Sequence, residues 1–270
     1  MIEGRLKVMG KIVATHSYKG GTGKTSLSVN LAATFVKQGK KVAICDLDFR
    51  APSLFAILNH DCKKVETWLN DYLNGKCEIG QVLIDLSERI PNAGKFYAGL
   101  ANPSTQAMQD MTTKDRKWEM RALGRILDLR KLLIVEQKFD YIFFDTSPGL
   151  QYSSLNAIVT ADFVVVTTTG DCSDVNGTKR MLADFYSMFE KKTGLVLNKV
   201  TCSSNKNDDD AELAKVVKED YKVPLLGVLP CFCDVKEAEG RFLFPQDKPD
   251  HLFTKIIAEM ASKIEKNEVT

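Results

Sequence analysis

Lys11-Ile12-Val13-Ala14-Thr15-His16-Ser17-Tyr18-Lys19-Gly20-Gly21-Thr22-Gly23-Lys24-Thr25-Ser26 joins an apolar β-rich run to a glycine-rich turn and then to a helical pattern. The helix is expected over Lys24–Lys37, where Leu27, Leu31 and Phe35 repeat at helical spacing and Gly39 supplies a stop signal. Strand, glycine turn, helix is the order that a phosphate loop requires. Glycines let backbone N–H groups converge on phosphate oxygens, and the helix N-terminus adds partial positive charge. Lys24 is then placed to reach the β- and γ-phosphates, and the Thr25 hydroxyl to ligate Mg²⁺. A bare glycine turn is the competing reading, and the Gly-Lys-Thr ending argues against it.

Outward from this stretch, apolar β-rich runs alternate with helical patterns. Strands are expected at Lys11–Ser17, Lys41–Asp46, Lys95–Leu100, Asp140–Asp145, Phe163–Thr168, Leu195–Val200 and Leu225–Leu229. Tyr141-Ile142-Phe143-Phe144 and Phe163-Val164-Val165-Val166 are continuously apolar, which suits strands of a parallel sheet covered on both faces. Further helices are expected at Thr105–Gln137, Tyr152–Thr160, Ser173–Lys191, Asp208–Tyr221 and His251–Lys266. The alternation predicts an α/β fold in three layers: a mostly parallel twisted sheet of about seven or eight strands, with helices on both faces. One P-loop domain over 10–270 is the economical reading. Ile2-Glu3-Gly4-Arg5 spells a protease-cleavage linker, so residues 1–9 are read as an expression scar or flexible leader.

The 270 residues include 44% hydrophobic and 27% charged, the balance of an ordinary soluble globular chain. No apolar run approaches the roughly 20 residues that span a bilayer. Seven scattered cysteines fit reduced thiols in a cytoplasmic protein better than a disulfide framework. A net charge of +2 says little about a nucleic-acid partner.

Two acidic segments fall where an open α/β sheet binds its ligands. Cys45-Asp46-Leu47-Asp48 ends the second expected strand, and Asp145-Thr146-Ser147-Pro148-Gly149 ends the fourth. Asp145, after four apolar residues, matches a Walker B carboxylate holding Mg²⁺ through water. Asn198-Lys199-Val200-Thr201 approximates a guanine reader, but Thr201 cannot accept from both N1–H and the exocyclic amine. Adenine is therefore the favoured base.

The loop departs from the plain Walker pattern, since Tyr18 stands at its first glycine position and Lys19 precedes Gly20-Gly21. Lys19-Gly20-Gly21-Thr22-Gly23-Lys24-Thr25 resembles the deviant Walker A motif of the MinD/ParA family of ATPases, a SIMIBI-class group of P-loop NTPases. The similarity extends over most of the chain from Lys11 onward. It implies an ATP/ADP site over Lys19, Gly20, Gly21, Thr22, Gly23, Lys24, Thr25 and Ser26, with Lys19 crossing a nucleotide-sandwich homodimer to the partner's phosphates. By the same resemblance Asp48 positions the attacking water, Asp46 lies near the Mg²⁺ shell, Pro148-Gly149 senses the γ-phosphate, and Asn198 and Pro230 flank the adenine. A slow, partner-activated ATPase switch follows, acting in positioning or partition of a cargo.

Two other classes stay open. Mrp-type iron–sulfur carriers ligate a cluster through Cys-x-x-Cys after the sixth strand. Here that region holds only Cys202, and Cys231 and Cys233 differ in spacing and place. A metabolic ligase using ATP is the third class, and Lys19 disfavours it. For partners, the basic run Lys114, Arg116, Lys117, Arg121, Arg125, Arg130 and Lys131 is either a solvated face or a contact for DNA or an anionic membrane surface; the solvated face is favoured. The amphipathic helix bearing Leu252, Phe253, Ile256, Ile257, Met260 and Ile264 reads as a core-closing element rather than a peripheral membrane anchor.

Overall fold

The computed structural model describes residues 10–200, 217, 219–238 and 242–267. The leader, Thr201, Cys202 and most of the helix expected over Asp208–Tyr221 lie outside the described residues. Eight strands form one sheet: β1 (Lys11–His16), β2 (Lys41–Leu47), β3 (Leu83–Asp85), β4 (Lys95–Gly99), β5 (Tyr141–Thr146), β6 (Phe163–Thr168), β7 (Lys192–Val200) and β8 (Leu225–Pro230). Their order is β3-β4-β2-β5-β1-β6-β7-β8, and every pairing but β3 with β4 is parallel.

The continuously apolar strands behave as their composition dictates, sending alternate residues into two cores. Ile12, Ala14, Ile142, Phe144, Val164 and Val166 point into one. There they meet α3 (Arg116–Arg130), α4 (Tyr152–Thr160) and α5 (Cys172–Asp184). Val13, Tyr141, Phe143, Phe163 and Val165 point into the other, against α1 (Lys24–Lys37) and α6 (Leu252–Lys266). The expected three-layer α/β architecture is therefore the observed one. α6 closes the second core with Phe253, Ile257, Met260, Ala261 and Ile264.

Three differences from the sequence reading have local causes. The long helix expected over Thr105–Gln137 is divided into α2 (Thr105–Thr112) and α3. Threonines at 112 and 113 are weak helix formers, and Asp115 restarts the helix by accepting from Trp118 N at 2.8 Å. The last turns of that stretch, Lys131–Glu136, widen into a π-helix. The helix expected over Ser173–Lys191 stops at Asp184, and a short 3₁₀ turn, Tyr186–Met188, follows it. Finally β3, an antiparallel edge strand of three residues, is too short to show a period.

Phe143 is fully buried in β5 and packs its ring 5.8 Å from that of Phe35 in α1. Phe143→Ala is expected to destabilise the chain by about 3–5 kcal/mol. Urea unfolding should show a lower midpoint with an unchanged slope.

Candidate nucleotide site

β1 lies at the centre of the sheet, between β5 and β6, so the loop it feeds opens over the C-terminal strand ends. A cleft of about 470 Å³ lies there, lined by Gly20, Gly21, Gly23, Lys24, Thr25 and Ser26 from the loop, and by Asp48, Arg50, Ser147 and Pro148 from neighbouring segments. Gly21 and Gly23 take φ of +77° and +94°, a region that side chains disfavour. A Cβ on Gly23 would also stand 2.3 Å from Asn198 Nδ2. Gly23 is the N-cap of α1, so the helix terminus faces the cleft.

The loop's peptide planes are held from outside. Asn198 Nδ2 donates to Thr22 O at 2.7 Å, and Lys199 Nζ donates to Gly21 O at 2.6 Å. In a trans peptide the next N–H points opposite to the carbonyl. The N–H groups of Thr22 and Gly23 are thereby turned away from β7. This is an anion cradle built by backbone orientation.

Beneath the cleft, Asp46 and Asp145 are direct register partners on β2 and β5, both fully buried. Asp46 accepts from the backbone of Asp48 (3.0 Å) and Leu54 (3.3 Å). Asp145 Oδ1 accepts from Ser28 Oγ at 3.1 Å and Thr15 Oγ1 at 3.3 Å. Burial pushes the Asp46 carboxyl well above the usual carboxylate range, and the facing Asp145 adds to the push. Burial also raises Asp145, opposed by Lys24 and by the Thr25 and Ser28 hydroxyls. Asp48 lines the cleft and is positioned through Oδ1, which accepts from Ser147 Oγ at 2.9 Å and Ala51 N at 3.2 Å. Thr25 shares a hydrogen bond with Ser53 at 3.2 Å.

These residues fit a hard divalent cation beside phosphates. Asp145 Oδ2 and Thr22 Oγ1 are buried without a hydrogen-bond partner among the described residues, and the three carboxylates have one buried lysine, Lys24, to balance them. A small cation that keeps several waters needs few direct protein ligands, as Thr25 with water-bridged carboxylates would provide.

Lys19 stands apart. It does not line the cleft; its half-exposed amine donates to Asp171 Oδ1 at 3.3 Å and Ser173 Oγ at 3.1 Å, at the start of α5. Ser173, the backbone N–H of Asp174 and Lys19, in that order, hold the exposed Asp171 carboxyl down to about 2. Asn198 and Pro230 line a second cavity of about 350 Å³ that adjoins the loop through Gly23 and Ser26. Cys231 also lines it, and Cys231 and Cys233 are both exposed free thiols.

A family profile described as an AAA domain matches residues 10–199. The chain belongs to that family, in its MinD/ParA group of P-loop NTPases. An uncharacterized ATP-binding protein of Methanocaldococcus jannaschii is 29% identical over 261 residues, covering 95% of this chain and 88% of the relative. The septum site-determining protein MinD of Synechocystis is 28% identical over 222 residues, covering 82% and 76% of the two chains. In fold, the chain is similar to the MinD of Pyrococcus horikoshii solved with Mg-ADP, at a TM-score of 0.74 and 21% identity over 96% of this chain and 98% of that one.

Within this MinD/ParA frame, several site residues escaped the sequence reading. Thr15, Ser28, Ser53 and Ser147 act as hydroxyl props, and only their closeness to the glycine loop and the acidic segments hinted at it. Arg50 enters the cleft two residues after Asp48. Asp171 is visible in sequence only as the N-cap of α5. Of the basic run, Arg130 makes a two-pronged pair with Asp162 at 2.8 and 2.9 Å and Arg125 lies over the Tyr72 ring at 5.3 Å, while Arg116, Lys117, Arg121 and Lys131 are exposed. No helix of the described residues is long and apolar enough to cross a membrane.

Because both buried carboxyls are raised, the folded chain without a cation binds protons more tightly than the unfolded chain. Its stability should therefore fall as pH rises from the free-carboxylate value of 3.8 through the raised values. Asp145→Asn removes one like charge and is expected to stabilise the nucleotide-free protein near pH 7 by on the order of 1 kcal/mol, or about 3 °C. The same variant should lose the stabilisation that Mg-ADP gives the wild type. Thermal unfolding with and without Mg-ADP measures both, and a destabilised variant with an intact response would refute this account of the site.

Proposed function

We propose that this chain is a Mg²⁺-dependent ATPase that works as a nucleotide-driven dimerisation switch. In this reading ATP and its cation occupy the 470 Å³ cleft. The loop amides and Lys24 hold the phosphates, and the base sits toward Asn198 and Pro230. When bound, the cation supplies charge neutralisation along the phosphates. Asp48, held by Ser147 and Ala51 N, accepts a hydrogen bond from the water and aims it at the terminal phosphate. Asp46 orients the Asp48 segment through its bond from Asp48 N. The Mg-ADP of the Pyrococcus horikoshii protein supports this assignment of ligands.

The observation that carries the switch is the placement of Lys19. Its amine lies outside the cleft of its own chain, on the surface, beside loop residues that line that cleft. A cation so placed suits a face-to-face homodimer in which each Lys19 completes the other subunit's site. Septum-site determination, the role for which the MinD relatives are named, supports an output in intracellular positioning. Turnover is slow in the absence of an activating protein, because Asp48 and one buried lysine alone are a sparse catalytic set.

Size-exclusion chromatography should show a monomer with Mg-ADP and a dimer with Mg-ATP, and Lys19→Ala should stay monomeric with both. Asp48→Ala is expected to bind ATP, form a persistent dimer and lose at least about tenfold in turnover, the effect of withdrawing one positioned hydrogen-bonding group. An Asp48→Ala protein hydrolysing ATP at the wild-type rate would remove Asp48 from its role.

A further inference from the structure

His16 is a titratable group in the interior that nothing above employs. It ends β1, one residue before the loop, and is fully buried. Both ring nitrogens are engaged: Nε2 lies 2.8 Å from Gly149 O, and Nδ1 lies 2.8 Å from Tyr186 Oη. A carbonyl only accepts, so Nε2 carries the proton and donates it. The neutral ring then leaves Nδ1 as the acceptor of the tyrosine O–H. Burial holds the imidazole down to about 4, which keeps this tautomer in place at neutral pH. Tyr186, itself buried, is 170 positions away in sequence and stacks on the ring at 6.0 Å between centroids.

The amide end of the same residue is fixed as well. Gly149 N donates to Ser17 O at 2.8 Å, and Gly149 takes φ of +70°. The turn after Asp145 is thus clasped by two consecutive residues of the loop strand, one through its carbonyl and one through its side chain. Pro148, the residue before, lines the phosphate cleft. Any approach of Pro148–Gly149 to a terminal phosphate must start from a position set by His16.

We propose that His16, braced by Tyr186, is a positioning residue that holds the Pro148–Gly149 turn where it discriminates a nucleoside triphosphate from a diphosphate. The inference rests on the reading of Pro148–Gly149 as the terminal-phosphate sensor. A buried histidine that merely satisfies its own hydrogen bonds would support the fold and leave that discrimination alone.

Asparagine and glutamine separate the two roles. An asparagine amide reaches as far as the ring Nδ1 and keeps the Tyr186 contact; a glutamine amide reaches as far as Nε2 and keeps the donor to Gly149. Dissociation constants for ADP and for ATPγS, each with Mg²⁺, should be measured on the whole chain. With His16→Asn the ATPγS constant should rise about tenfold, the worth of one buried hydrogen bond, while the ADP constant stays within about twofold. His16→Gln, which keeps the donor to Gly149 but not the Tyr186 brace, should recover part of that loss, to within about threefold of the wild type. Should His16→Asn not fold, Tyr186→Phe removes the brace alone and should weaken ATPγS binding selectively. Equal weakening toward both nucleotides, no change in either, or a His16→Gln that behaves like His16→Asn would each overturn the proposal. A wild type that binds ADP and ATPγS equally would instead overturn the sensor reading, and the proposal with it.

Discussion

Asp46 and Asp145 face each other from adjacent parallel strands, fully buried, with one oxygen of Asp145 left without a hydrogen-bond partner among the described residues. Two carboxyls in such a place destabilise a folded chain unless positive charge arrives. The surrounding structure bears that cost: both adjoining strands are apolar along their length, and two hydrophobic cores clamp them from either side. Hydroxyls of Thr15 and Ser28 and the backbone N–H groups of Asp48 and Leu54 moderate the repulsion without cancelling it. The centre of the sheet is therefore fully buried and at the same time carries charge that only a ligand can balance.

The layers, the strand series and the glycine loop could be read from the sequence because each rests on local signals. Continuous apolar runs such as Phe163–Val166 mean burial on both faces, and Gly21 and Gly23 mark a backbone whose positive φ side chains disfavour. The carboxylates were legible for the same reason, since each ends an apolar run. What escaped depends on contacts distant in sequence. Tyr186 meets His16, Arg130 meets Asp162, and Asp171 meets Lys19, and no periodicity announces such pairs. The division of the helix expected over Thr105–Gln137 turned on Asp115, a capping residue that also passes for an ordinary surface acid. β3 escaped because three residues carry no alternation to detect.

One helix gathers the elements around the loop. At its N-terminus α5 carries Asp171 and Ser173 against Lys19. Midway, Gly177 accommodates the Tyr18 ring so closely that an added Cβ would lie 2.0 Å from Tyr18 Cε1. Beyond its C-terminus Tyr186 holds His16. Residues 16, 18 and 19 thus all lean on α5 and its extension, and a change in the loop reaches the helix at three points.

The clasp of Asn198 and Lys199 on the loop carbonyls has a consequence for how binding proceeds in time and heat. A loop whose peptide planes are already oriented has little conformational entropy left to lose when an anion arrives. Association then resembles the filling of a rigid mould, with few rearranged states between encounter and capture. Because the clasp comes from β7, whose end also borders the cavity beside Pro230, the firmness of the mould is tied to the wall of that second cavity.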